Sequence, residues 1–219
     1  MQQQDLIPAE PGRIGTDESG KGDYFGPLVI AGFYCPPDQE GVLRELGVRD
    51  SKLISDNRCR DIAETLMQGY PHSIVAIGPE RYNELYEKFR NLNKLLAWGH
   101  ARVIENILEK MDCRLAVTDQ FGDERFVKNA LLARGKTITL IQKVRGESDP
   151  AVAAASILAR AEFLKKLHFL GKDWQMEFPK GASAAVDAAA VEFVRRHGRE
   201  NLPKVAKVHF KTTVKALGS

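Results

Sequence analysis

Short apolar runs bounded by glycine, proline or an acid alternate along the chain with longer stretches of helical period. Residues 13–17 and 27–35 read as strands joined by a glycine-rich turn, and Pro36-Pro37 stops the second. Ser55-Asp56 offers an N-cap for a helix running to about Met67. Residues 73–77 are short and β-branched and predict a strand; Pro79 then opens a short helix through Glu87. The longest helical pattern covers 92–111, with Leu95, Leu96, Trp98, Val103, Ile104, Ile107 and Leu108 crowding one side. Residues 114–118 predict a strand ending at Asp119, 124–133 a helix closed by Gly135, and 137–142 another strand. An alanine-rich helix runs from Pro150 to about Leu170, and a last helix over 187–197 stops at Gly198. Residues 1–12 read as a flexible lead-in and 13–219 as the folded domain. The alternation predicts an α/β fold, a mixed central sheet flanked by helices, with antiparallel pairing where the first two strands meet.

With 219 residues and 43% hydrophobic content the chain can build one substantial core. The net charge of +3 is mildly basic, which permits a polyanionic partner without requiring one. Cys35, Cys59 and Cys113 are scattered and form no C-x-x-C pair, so a reducing, cytoplasmic setting is expected. The opening Met1-Gln2-Gln3-Gln4-Asp5 lacks the basic and apolar parts of a signal peptide, and no apolar run approaches the roughly 20 residues that span a bilayer. No membrane partner is therefore expected.

The densest chemistry lies in the stretch from Ile14 to Pro27, which puts Asp17-Glu18 after an apolar run and before the turn Gly20-Lys21-Gly22. Adjacent carboxylates suit a hard metal ion, and a glycine turn exposes backbone N–H groups to a sugar or phosphate. Gly15-x-x-x-x-Gly20-Lys21 nearly spells a phosphate-binding P-loop, but Gly22 stands where a Ser or Thr is needed, and a strand follows instead of a helix. Asp119 shares the context of Asp17, an acid at the end of an apolar strand, where α/β sheets collect ligands; taken alone, it reads equally as a turn former or helix cap. Before the alanine-rich helix, Glu147 and Asp149 compete as a fourth acid. Asp149 has a structural use as the cap preceding Pro150, which favours Glu147 as the ligand. Four oxygen donors suit Mg2+ or Mn2+. His72, His100, His168, His197 and His209 show no close pairing and read as structural.

These motifs resemble the type 2 ribonucleases H, and within them ribonuclease HIII. The resemblance runs through Asp17-Glu18-Ser19-Gly20-Lys21-Gly22, Asp50-Ser51-Lys52-Leu53, the segment 93–101, Thr118-Asp119-Gln120-Phe121, Glu147-Ser148 with 151–160, the segment 178–182 and the segment 206–211. It implies an RNase H-like fold with additional C-terminal helices, and endonucleolytic cleavage of the RNA strand of RNA/DNA hybrids by two-metal-ion hydrolysis. The products it implies carry 5′-phosphate and 3′-hydroxyl ends. Carried over, the catalytic metal ligands are Asp17, Glu18, Asp119 and Glu147, holding two Mg2+ or Mn2+ ions with no small-molecule cofactor. Ribonuclease HIII commonly adds an N-terminal substrate-binding domain of about 80 residues, and only a dozen residues precede the first strand here, too few for such a core. The expected partner is a hybrid duplex, met by a monomer.

Telling RNA from DNA requires reading the 2′-hydroxyl, and Gly20, Lys21 and Gly22 are placed for it, with Lys21 either on a phosphate or solvated. Ser51, Lys52 and Lys143 are candidate phosphate contacts. Ser156 is either a further contact or a small residue packing its helix. The alternatives are incision at single ribonucleotides embedded in DNA, as by ribonuclease HII, and a non-catalytic nucleic-acid-binding module.

Overall fold

The computed structural model describes residues 12–218. Five strands form one mixed sheet: β1 (Arg13–Ser19), β2 (Leu28–Cys35), β3 (His72–Ile77), β4 (Leu115–Asp119) and β5 (Thr139–Lys143). Their spatial order is β3-β2-β1-β4-β5, with β1–β2 and β2–β3 antiparallel and β1–β4 and β4–β5 parallel. Eight α-helices are described: α1 (Glu40–Glu45), α2 (Asp56–Gly69), α3 (Pro79–Phe89), α4 (Leu92–Leu108), α5 (Glu124–Ala130), α6 (Pro150–Asp173), α7 (Ala184–His197) and α8 (Lys211–Leu217).

The mixed sheet, its opening hairpin and its helical cover agree with the sequence expectation. Two short helices, α1 and α8, escaped it because six or seven residues carry too little periodicity to register. The lead-in expected over 1–12 lies, apart from Gly12, outside the described residues. Strand β1 also runs two residues further than predicted, so Glu18 and Ser19 are strand residues rather than the first residues of a turn.

Strand β2 is buried along its whole length, as a strand covered on both faces must be. On one face Val29, Ala31 and Phe33 join a core built with α6, α2 and α7. On the other, Leu28 and Ile30 pack with Leu95, Leu96 and Val103 of α4. The alternation of β1 sends Ile14, Thr16 and Glu18 toward α4 and Gly15 and Asp17 toward α6.

Contact between α6 and β1 is made through backbone. A Cβ at Gly15 would lie 2.1 Å from the Ala151 carbonyl carbon and 2.3 Å from its oxygen. The alanines at 151 and 153–155, all at most 1% exposed, leave that helix face thin enough for this approach. The N-terminus of α6 is fixed by Asp149, whose Oδ1 accepts from the Ala151 N–H at 3.0 Å, with Pro150 at the first helical position. Its middle is fixed by Arg160, which donates to the Ser51 and Ile54 carbonyls and pairs with Asp56 at the start of α2. No helix among the described residues is long and apolar enough to cross a membrane.

Gly15→Ala should therefore destabilise the protein by about 3 kcal/mol or more, since neither backbone can yield without moving the helix off the sheet. Urea denaturation measures it, with Gly22→Ala as the control, because nothing lies within 4 Å of a Cβ there. Equal midpoints for the two variants would show that the approach is not a constraint.

Candidate active site

The parallel register pairs Thr16 with Thr118, which sets Asp17 beside Asp119 at the next position on the same sheet face. Asp17 Oδ1 accepts from the Glu18 N–H at 2.8 Å, and its carboxyl is also hydrogen-bonded by Ser156 of α6. Burial, then the charges of Glu18 and Asp119, push the Asp17 carboxyl up to about 8. Asp119 Oδ1 accepts from the Gly146 N–H at 2.8 Å, so the short 3-10 turn Gly146–Ser148 leans on the end of β4.

Glu18 points to the opposite face. Its Oε2 lies 3.2 Å from Nε2 of His100 on α4 and its Oε1 3.3 Å from the Lys21 ammonium. Burial works to raise this carboxyl, but His100 and Lys21 outweigh it and hold it below its ordinary value. His100 is fully buried; its Nδ1 lies 2.8 Å from Thr16 Oγ1, and its ring stacks on Phe121 at 4.7 Å. A carboxylate at Nε2 calls for a proton on that nitrogen, leaving Nδ1 to accept from the Thr16 hydroxyl. Sequence reading passed over His100 because the residue that gives it meaning lies 82 positions away; its place one helical turn after Leu96, on the buried face of α4, was the available signal.

Glu147 sits half-buried in the 3-10 turn and makes no hydrogen bond or ion pair among the described residues. Asp149 is spent. Besides capping α6 it takes the Arg13 guanidinium on both oxygens at 2.9 Å and lies 3.5 Å from the Lys143 ammonium. The four expected acids are thus two side by side, one across the strand and one in the neighbouring turn. No group of three or more His, Cys, Asp or Glu side chains among the described residues is spaced to grip a metal ion. The donor chemistry of the Asp17–Asp119 pair nevertheless fits a hard divalent cation, whose charge would relieve what raises Asp17.

Gly20 holds φ at +87°, and a Cβ there would meet the Pro27 carbonyl at 2.2 Å, so the turn needs glycine at this position. Gly22 opens onto free space. Ser51, a candidate phosphate contact, has its hydroxyl buried and bonded to Ser156 Oγ at 2.8 Å. Ser156 is likewise buried, and its hydroxyl joins Ser51 to Asp17. Lys143 is exposed but drawn to Asp149, whereas the exposed Lys52 ammonium has no partner among the described residues.

Residues 14–213 match the ribonuclease HII family. Ribonuclease HIII of Protochlamydia amoebophila is 47% identical over 98% of this chain and 70% of its own length. The chain belongs to the type 2 ribonuclease H family. It resembles ribonuclease HIII in structure as well: Bst-RNase HIII, crystallised in complex with Mn2+, superposes with a TM-score of 0.88 at 33% identity over 95% of this chain and 70% of that one. Aquifex aeolicus RNase H3 follows at 0.74 and 32%, over 90% and 72%. Ribonuclease H activity is the chemistry of this family, and the chain is an enzyme of that class.

The raised Asp17 carboxyl carries a pH signature. A group folded with a value near 8 against an ordinary 3.8 gives its full stabilisation below about pH 4 and loses it as pH rises toward 8. With chelator present, the melting temperature should fall between pH 5 and pH 8, and Asp17→Asn should flatten that fall. Parallel curves for the two proteins would contradict the raised Asp17 carboxyl.

Proposed function

We propose that the enzyme cuts the RNA strand of RNA/DNA hybrids by two-metal-ion hydrolysis, leaving 5′-phosphate and 3′-hydroxyl ends. The observation that carries this reading is the pairing of Asp17 and Asp119 on adjacent parallel strands, with the Asp17 carboxyl held up to about 8. Asp17 and Asp119 would hold the cations, with Glu18, whose charge reaches Asp17, and Glu147 of the adjacent 3-10 turn as the further carboxylates for their shells. Bound there, Mg2+ or Mn2+ supplies a water nucleophile at neutral pH and offsets charge on the departing 3′-oxygen. The Mn2+ in Bst-RNase HIII supports this choice of ion.

The chain's own residues orient the substrate. The Gly20–Gly22 backbone, one turn beyond the carboxylates, reads the ribose 2′-hydroxyl. Lys21 and Lys52 meet phosphates, Lys21 leaving Glu18 for the substrate and Lys52 requiring no partner exchange. His100 keeps the Glu18 carboxylate from turning outward, and Ser156, backed by Ser51, does the same for Asp17.

Asp17→Asn and Asp119→Asn should each lower hybrid cleavage in Mg2+ or Mn2+ by about 100-fold or more, since each removes charge stabilisation of several kcal/mol. EDTA should abolish cleavage of the unmodified protein. Near-full turnover by either variant rejects the assignment, and chelator-resistant binding without nicking favours a binding module. A duplex carrying one embedded ribonucleotide, assayed beside the continuous hybrid, separates ribonuclease HII-like incision. His100→Ala should lower cleavage and Mn2+ affinity by about 10- to 100-fold, with partial recovery in His100→Gln, as expected for a residue that orients a ligand. Wild-type Mn2+ affinity in His100→Ala would assign the histidine to packing alone.

A further inference from the structure

Lys207 is fully buried, which is rare for lysine. Its ammonium donates to the carbonyls of Asp23 at 2.7 Å and Gly26 at 2.8 Å, and it lies 5.6 Å from the centre of the Tyr82 ring on α3. Both carbonyls belong to the segment that continues the Gly20–Gly22 turn into β2. Around Lys207 the chain between α7 and α8 is laced to the same segment. Gly26 N–H donates to the Val205 carbonyl and Lys207 N–H to the Tyr24 carbonyl, each at 2.9 Å, and Phe25 forms a β-bridge with Ala206. From outside, Asn83 of α3 holds this strap, donating to the Ala206 carbonyl at 2.9 Å and accepting from the Val208 N–H at 3.1 Å.

The far side of the segment is tied too: Asp23 Oδ1 accepts from the Gly181 N–H at 2.6 Å, and Tyr24 N–H donates to the Gly181 carbonyl at 2.9 Å. Residues 23–26 are therefore clamped, while Gly22 faces open space. Burial pulls the Lys207 ammonium down to about 7, yet an amine retains two N–H groups, enough for both carbonyls.

We propose that Lys207 is a positioning residue for substrate discrimination, fixing the Asp23 and Gly26 carbonyls so that the Gly20–Gly22 backbone meets nucleic acid in a single shape. This rests on the reading that the turn contacts the ribose. Lys207 touches no reacting atom; it acts through the turn. Its loss should spread the turn over several shapes, weakening hybrid recognition relative to DNA while leaving the carboxylates in place.

The test compares Lys207→Met and Asn83→Ala with the unmodified protein, all in Mn2+. The measurements are kcat and KM on a hybrid, inhibition by the matching all-DNA duplex, Mn2+ affinity and a thermal melt. In Lys207→Met the ratio of DNA inhibition constant to hybrid KM should fall about tenfold, with kcat within about threefold and Mn2+ affinity unchanged. Asn83→Ala loosens the strap without emptying the buried site and should shift the same ratio in the same direction. A folded Lys207→Met with an unchanged ratio overturns the proposal. If Lys207→Met does not fold, an unchanged ratio in folded Asn83→Ala overturns it. An unmodified protein inert on the hybrid overturns the function itself, and this inference with it.

Discussion

The close approach of α6 to β1 organises the rest of the molecule. Gly15 offers no side chain, Ala151 offers only a methyl group, and the two backbones meet. That contact sets the depth at which α6 lies on the sheet. It brings Ser156 within reach of Asp17 and, two turns on, lets the Phe163 ring fit under Gly20. A larger residue at 15 or 151 would lift the helix, and the serine and the ring would both lose their partners.

Within that frame the site is a problem of like charges. Asp17 and Asp119 lie side by side on one face, and Glu18 adds its field from the other. The fold answers the two sides differently. Glu18 has two nitrogen neighbours, His100 and Lys21, and stays readily ionised. Asp17 has only hydroxyl and amide donors, and its carboxyl rises. The asymmetry leaves the negative charge least compensated where the two strands run in parallel, and a cation is best accommodated there.

Local signals in the sequence revealed most of the scaffold. The Ser55 cap, the Pro150 start and the alternation of short β-branched runs with amphipathic stretches each found their element within a few residues. The acid-rich opening was legible because its spacing is unusual, and Asp149 was read as a cap from its proline neighbour alone. What escaped depends on distant partners. Ser51 and Ser156 look like surface hydroxyls until the fold joins them across 105 positions. His100 looks structural until β1 lies beneath it, and Lys207 looks like one more basic residue in a charged tail until α3 and the turn enclose it. The extent of β1 was misjudged for a related reason: its pairing with Val29 and Ile30 of β2 keeps Ser19 and Glu18 extended despite their polarity.

Helix α6 carries no glycine or proline between Ser156 and Phe163. It therefore works as a rigid ruler between the end of the site that holds the acids and the end that holds the turn. Deleting or inserting one residue in that span would rotate one end against the other by about 100° and shift it by about 1.5 Å. Evolution can lengthen or shorten the loops of this enzyme far more freely than it can change the length of that helix.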